Sequence, residues 1–201
     1  MNTAIVGADQ TESRRTVMKN TSEMKRIPGI AAASVLLSSA LITTALAHEA
    51  GRMTGGGSII CSNGEFRVTH GFELHCIDDG EPAAALPNNL EVNWLDPVSG
   101  VEQNFHLTLL GTAVCSDSPQ IEEDPPNAGF DTMVATGTGT LNNVVGAFIS
   151  FTFTDAGEPG AGVDRASFTI TDSSGVVALN CASTVLNQGG NQQAHKVTGN
   201  N

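Results

Sequence analysis

Apolar and polar residues alternate with a period of two over much of this sequence. From Phe66 to Cys76 the even positions are apolar apart from His70, while the odd positions are polar or glycine. Successive side chains of a strand point to opposite faces of a sheet, so this run predicts a strand with one buried face. Gly71, in the middle of the run, is a candidate β-bulge.

The same alternation recurs along the chain, and no window shows the 3.6-residue period of a helix. The further runs are Leu90-Val92-Trp94, Phe105-Leu107-Leu109, Ala147-Ile149-Phe151-Phe153, Ala166-Phe168-Ile170 and Val177-Leu179-Cys181. The Thr- and Gly-rich stretch from Phe130 to Leu141 predicts an edge strand or a strongly twisted one. The sequence therefore predicts an all-β fold, an antiparallel β-sandwich or partly open barrel of roughly eight or nine strands.

The N-terminal part has the organisation of an export signal. Lys25 and Arg26 precede a charge-free apolar stretch, which ends in the small-residue cleavage pattern Ala45-Leu46-Ala47. We therefore predict a signal peptide over residues 24–47 and a single secreted β-domain over residues 48–201. The domain is expected to be extracellular or periplasmic.

Residues 1–23 allow two interpretations. Arg14 and Arg15 lie in a stretch resembling the twin-arginine export signature, which would make residues 1–23 an extended n-region. The alternative is a mis-assigned start, with Met18 or Met24 as the initiator and export by the general route. Both interpretations place the mature domain outside the cytoplasm.

The charge balance excludes several classes of partner. The chain has 21 acidic and 9 basic residues and a net charge of -12. Five basic and three acidic residues precede position 48, so the predicted mature domain keeps four basic and eighteen acidic side chains. Such a domain has no basic face for nucleic acid, and we expect membrane contact only through the signal segment. The expected partner is a protein or an extracellular matrix component that is cationic, metal-bridged or neutral.

All four cysteines fall in the predicted mature domain, at wide spacing and without a Cys-x-x-Cys pair. An even number in an exported domain predicts two disulfides, for which three pairings exist. Cys76 and Cys115 each follow a predicted strand end, so we expect them to pair. That leaves Cys61 to pair with Cys181.

Four histidines are candidate binding residues. His70 lies on the apolar face of its strand, where a buried neutral imidazole is the alternative to a ligand-binding role. His75 is expected on the opposite face of that strand, and His106 is expected to point outward. His195 lies near the C-terminus. A metal site built from three of these histidines would require them to converge from distant parts of the chain.

Two metal sites are conceivable from local sequence. Asp155, Glu158 and Asp164 lie in one Gly-rich loop, and calcium prefers such carboxylate and carbonyl oxygens; the alternative is a solvated turn. Cleavage after Ala47 would leave His48 at the N-terminus, where its amine and imidazole together could chelate copper. A copper-binding protein or oxidative copper enzyme is therefore the alternative function, and calcium is the possible cofactor.

Motifs for hydrolysis and phosphate binding are missing from the sequence: it has no Gly-x-Ser-x-Gly, no His-Glu-x-x-His and no phosphate loop leading into a helix. With one Trp, no Tyr and most Phe residues at inward positions, an aromatic sugar-binding platform is not expected. The sequence thus favours a non-catalytic secreted or cell-surface module acting in adhesion, assembly or ligand binding.

Several phrases of the sequence resemble a recurrent exported bacterial domain, the post-COAP domain. They include 68–76 (VTHGFELHC), 87–94 (PNNLEVNW), 153–160 (FTDAGEPG) and 190–195 (GNQQAH), and the resemblance spans residues 51–195. It implies a secreted β-domain and brings no activity with it. Cys76 and Cys115 fit the pattern of that family better than Cys61 and Cys181 do.

Overall fold

Nine β-strands make up the regular structure of the computed structural model, which describes residues 50–61, 66–76, 87–121, 128–187 and 189–196. The strands are β1 (Gly51–Cys61), β2 (Phe66–Cys76), β3 (Asn89–Leu95), β4 (Glu102–Ser116), β5 (Thr132–Leu141), β6 (Val144–Thr154), β7 (Arg165–Thr171), β8 (Val177–Val185) and β9 (Asn191–Lys196). The predicted all-β class is confirmed.

The N-terminal predictions lie outside the described residues. This applies to the interpretation of 1–23, to the signal peptide at 24–47 and to His48. In the ranges given above, the structure contains no helix with the length and apolar character needed to span a membrane.

All nine strands belong to one antiparallel sheet. Strands β1 to β8 pair in sequence order, and β9 returns to pair with β1 on the side away from β2. The sheet is rolled, because Cys61 on β1 and Cys181 on β8 have their Cα atoms 5.2 Å apart. The result is a partly open barrel in which the inward side chains of all strands share one core.

The alternating residues fill this core as the sequence predicts. Phe105, Phe153 and Phe168 are buried, and the rings of Phe72 and Phe153 stack with centroids 3.9 Å apart. The short turns between the strands are stabilised locally. Oδ1 of Asp96, for example, accepts hydrogen bonds from the backbone N–H groups of residues 98 and 99.

Both predicted disulfides are confirmed. Cys61 is bonded to Cys181 at a sequence separation of 120, and Cys76 is bonded to Cys115 at a separation of 39. The first joins β1 to β8 and the second joins β2 to β4. Two disulfides in a domain of this size are typical of an oxidising compartment, either extracellular or periplasmic.

The alternation predicted for β4 fails at its centre. Leu109 is 64% exposed and Leu110 is buried instead, because the register between β4 and β5 shifts on both sides of these residues. A bulge exchanges the two faces of a strand, and a period-two pattern contains no signal for it. Gly71, by contrast, is not a bulge: it pairs with Gly56 and Glu91 in uninterrupted register.

The edge position considered for the Thr- and Gly-rich strand is wrong. β5 lies between β4 and β6 in the middle of the sheet. Its glycines allow close approach to β4, since a Cβ atom at Gly137 would lie 2.7 Å from the carbonyl oxygen of Leu109. The register between β5 and each of its neighbours shifts, as at β-bulges, which are sites of increased local twist; the strong twist of β5 stays a prediction.

Candidate functional site

The Gly-rich acidic loop between β6 and β7 packs against β9, and we call this contact the carboxylate clasp (Asp155, Glu158 and Asp164 with residues 191–194). Oδ2 of Asp164 accepts a hydrogen bond from the backbone N–H of Gln192 at 2.7 Å, and Oδ2 of Asp155 accepts one from Ala194 at 2.8 Å. These two N–H groups belong to alternate residues of β9 and face away from β1. The carboxylates therefore occupy the place of a neighbouring strand.

Three further oxygens of the clasp are also engaged. Oδ1 of Asp164 accepts from the N–H of Ala156 at 2.9 Å, and Oδ1 of Asp155 accepts from Gly157 at 3.3 Å. Oε1 of the exposed Glu158 accepts from the side-chain amide of Gln193 at 2.6 Å. The loop thus binds both its own backbone and β9.

Burial sets the protonation behaviour of the clasp. It raises the pKa of Asp164 to about 6, although the backbone hydrogen bonds from Ala156 and Gln192 act in the opposite direction. It also raises the pKa of Asp155. Desolvation disfavours the charged form of a carboxyl group, so both acids are less acidic than they would be in solvent.

The hydrogen bonds of the clasp involve the same carboxylates as the predicted calcium site. The structure brings Asp155, Glu158 and Asp164 together, but their oxygens face N–H donors that a cation would have to displace. Among the described residues, no group of three or more His, Cys, Asp or Glu side chains is arranged to hold a metal ion. Calcium binding by this loop stays a prediction.

His70 lies inside the barrel, only 6% exposed. Its ring centroid is 5.4 Å from that of Phe153 and 5.3 Å from that of Phe168. The side-chain amide nitrogen of Gln192 lies 3.3 Å from Nε2; an amide nitrogen only donates, so Nε2 is the acceptor and Nδ1 carries the proton. Burial lowers the pKa of His70 to about 4, which keeps the imidazole neutral.

The other three histidines do not converge with His70. His75 is buried at the end of β2, and its backbone N–H donates to Oδ1 of Asn88 at 2.9 Å. His106 is exposed on β4 and lies 3.0 Å from Oε1 of Glu91. His195 on β9 lies 2.9 Å from Oγ1 of Thr54. Each histidine thus has its own local environment.

Asp131 was missed by the sequence analysis. It is fully buried, and its side chain accepts hydrogen bonds from the N–H of Ser118 at 2.7 Å and from the hydroxyl of Thr132. Burial raises its pKa. The available signal was an isolated acid between Phe130 and the start of β5, where a carboxylate can bind backbone across a turn.

An open cleft of about 570 Å³ lies on the outer face of β2, β3 and β4. Thr69, Asn93 and Asn104 form a cross-strand row in it, and the amide of Asn104 donates to Oδ1 of Asn93 at 2.7 Å. The full lining is Arg67, Thr69, Asn93, Trp94, Leu95, Glu102, Gln103 and Asn104. No direct sign of this cleft is present in the sequence, because its outward positions meet only through the strand register.

Comparisons of the chain with family models, with curated proteins and with solved structures found no match. The fold and the sites define its class: a disulfide-linked antiparallel β-domain with buried acids that hold the structure and an open polar cleft on one face.

Proposed function

We propose that this chain is a non-catalytic secreted or cell-surface module that binds a ligand or partner outside the cytoplasm. The observation that carries the proposal is a spatial separation. The groups with strongly shifted pKa values, His70 and Asp164, are buried in the structure, and neither of them lines the open cleft.

In a catalytic site, the groups with shifted pKa values usually line the cleft, whereas in this domain these groups and the cleft lie apart. An enzyme places acids or bases with shifted pKa values in the cleft that receives the substrate. Three amides, the hydroxyl of Thr69 and the charged Arg67 and Glu102 line the cleft here, together with the apolar Trp94 and Leu95. The polar groups donate and accept hydrogen bonds and suit recognition of a polar ligand.

The N-terminal sequence and the disulfides support the proposed location. Residues 24–47 have the order of charges, apolar residues and small residues found in signal peptides. The resemblance to the post-COAP domain supports the same assignment to an exported bacterial module.

Binding to a panel of matrix proteins and polysaccharides tests the proposal, with the secreted protein and two arginine variants. Arg67→Ala removes the one arginine of the cleft, and Arg165→Ala removes an exposed arginine at the start of β7, outside it. We expect at least one member of the panel to bind the wild-type protein and the Arg165→Ala variant but not the Arg67→Ala variant. Reproducible turnover of a defined substrate by the purified protein would overturn the proposal.

The copper alternative depends on His48 and is tested on the same sample. N-terminal sequencing establishes whether the mature chain begins at His48, and metal analysis measures copper per chain. A mature His48 terminus with stoichiometric copper would favour the alternative over a non-catalytic binding module.

A further inference from the structure

Outward side chains from β4 to β8 form a wide surface without a charged residue, which we call the uncharged face; the charged Glu102 at the start of β4 and Arg165 at the start of β7 lie outside it. Strand pairing arranges it in three rows that cross the sheet. The rows are Val114-Val134-Thr152-Ser167, Thr112-Thr136-Ser150-Thr169-Asn180 and Leu109-Thr138-Phe148-Thr171-Val177. Eight of these side chains are hydroxyls, five are apolar and one is an amide.

Charged side chains are found instead on the outer surface of the neighbouring strands. Strands β1 to β3 carry Arg52, Arg67, Glu73 and Glu91 at outward positions. Arg165 lies one row beyond the uncharged face, at its margin. In a chain with a net charge of -12, a face this wide without a single charge marks a surface where charge would interfere with contact.

The third row is the most exposed and the most apolar. Phe148 is 43% exposed at its centre, between Thr138 and Thr171, and Leu109 and Val177 end the row at 64% and 54% exposure. Phe148 therefore places a partly exposed ring between the side chains of two threonines. This is the aromatic element that the sequence analysis did not expect on the surface.

The chemistry of the face selects among possible partners. A charged partner would gain nothing from a surface without charges, and the alternation of hydroxyl and apolar groups suits a ligand that offers both. From its first to its last row the face spans about 13 Å along the strands and about 19 Å across them, on the order of 250 Å², because strands are about 4.8 Å apart and rise about 3.3 Å per residue. A stable dimer buries about 800 Å² on each partner, so a second copy fits this area less well.

From these observations we propose that the uncharged face binds an uncharged polysaccharide, with Phe148 stacking against a sugar ring and the neighbouring threonines bonding its hydroxyls. The inference goes beyond the function proposed for the cleft of β2 to β4, because it assigns a second binding surface and a ligand class to that surface. The contact contains no ion pair, so the affinity does not change with salt concentration.

Electrophoresis through native gels containing soluble neutral polysaccharides, a glucan and a glucomannan, tests the inference, with amorphous cellulose and chitin as insoluble probes. Phe148→Ala removes the ring, and Thr169→Glu introduces a charge into the second row at an exposed position. Asn89→Glu is the matched control, since it adds the same charge at an exposed outward position of β3, outside both surfaces.

We expect at least one of these polysaccharides to retard or retain the wild-type protein and the Asn89→Glu variant equally at low and high salt. Each variant of the uncharged face should lose binding by about tenfold or more, the effect of removing a central contact. Thermal melts of the variants verify their folding, and because both changed residues are outward, the two variants provide independent tests.

Three results would overturn the inference. Failure of every polysaccharide to bind the wild-type protein removes the ligand class, while the binding function is still tested by the wider panel. Loss of polysaccharide binding in Arg67→Ala but not in Thr169→Glu moves the ligand to the cleft and leaves the proposed function intact. A dimer in sedimentation velocity that Thr169→Glu dissociates assigns the face to a second copy.

Discussion

The side-chain amide nitrogen of Gln192 lies 3.3 Å from Nε2 of His70, and both side chains are buried. The contact links β9, the last strand, to β2 through the interior of the barrel. Oε1 of Gln192 accepts a hydrogen bond from the backbone N–H of Thr154 at 3.0 Å, which extends the link to β6. Protonation of Nε2 of His70 would set a second donor against the side-chain amide donor of Gln192 and would place a positive charge among aromatic rings.

We therefore predict that His70 makes the domain sensitive to acid. Its pKa is about 4 in the folded protein against 6.5 for an ordinary histidine, so its contribution is complete above pH 6.5 and is lost as the pH falls through the window from 6.5 to 4. The full loss is about 3 kcal/mol, since one pKa unit corresponds to about 1.4 kcal/mol.

Urea unfolding between pH 7 and pH 4 measures this effect in the wild type, in His70→Gln and in His106→Gln as the exposed control. The His70 variant should be less stable at pH 7 and should lose less stability on acidification. Parallel profiles for all three proteins would show that His70 is not the sensitive group.

Asp164 is expected to stabilise the domain on acidification, which is the opposite of the effect of His70. Its folded-state pKa of about 6 exceeds the ordinary 3.8, so its contribution is complete below pH 3.8 and is lost as the pH rises through 6. Between pH 7 and pH 4 protonation of Asp164 should raise the free energy of unfolding of the wild-type protein. The Asp164→Asn variant should lack this rise. If the variant keeps the same gain, another acid is responsible.

The same Asp164→Asn substitution should destabilise the clasp at neutral pH. One oxygen that accepts a backbone N–H becomes a donor, which leaves a buried donor unsatisfied at a cost of about 1–3 kcal/mol. Asp172→Asn is the matched control, because Oδ1 of Asp172 also accepts two backbone N–H groups, from Ser174 and Val176, but at an exposed turn. Hydrogen exchange at Gln192 should accelerate only in the Asp164 variant, and equal destabilisation of both variants would contradict this account.

Removal of the two disulfides should have unequal effects. The chain-entropy model gives about 5 kcal/mol for a loop of the length closed by Cys61–Cys181 and about 4 kcal/mol for that closed by Cys76–Cys115. The Cys61→Ala/Cys181→Ala variant also frees β8 from β1, so it should have the lower Tm. The reverse order of Tm values would mean that strand closure does not depend on the longer bridge.

Calcium should not change the melting temperature if the clasp oxygens keep their N–H donors. Melting in the presence of a chelator and in the presence of excess calcium measures this directly, because an ion that binds only the folded state raises Tm. A rise with calcium that is absent in Glu158→Gln would instead establish the cation site predicted from sequence.

Local patterns predicted the strands and failed where the fold depends on distant partners. The alternation identified β2, β3, β6 and β7, because burial of one face imposes a period of two. It failed at Leu109, where only the partner strand imposes the bulge, and it could not show that Asp164 binds the backbone of Gln192. The cysteines were paired correctly because Cys76 and Cys115 lie at or next to strand ends, which left Cys61 and Cys181 as the second pair.

The site was less predictable than the fold for the same reason. Asp155, Asp164 and His195 were all singled out, but their roles depend on β9 lying beside the loop after β6. The cleft and the uncharged face are each assembled from outward positions of several strands. Their composition is visible in the sequence, whereas their adjacency depends on the register.

The pairing of the first strand with the last also bears on how this domain can be used. Gly51 is opposite Lys196 in the sheet, so the two ends of the folded unit emerge side by side. Such a unit can be inserted into a surface loop of a host protein without separating the host's chain ends, and it tolerates circular permutation. β1 also acquires its second neighbour only when β9 arrives, so this part of the sheet is completed only after residues 191–196 have been synthesised.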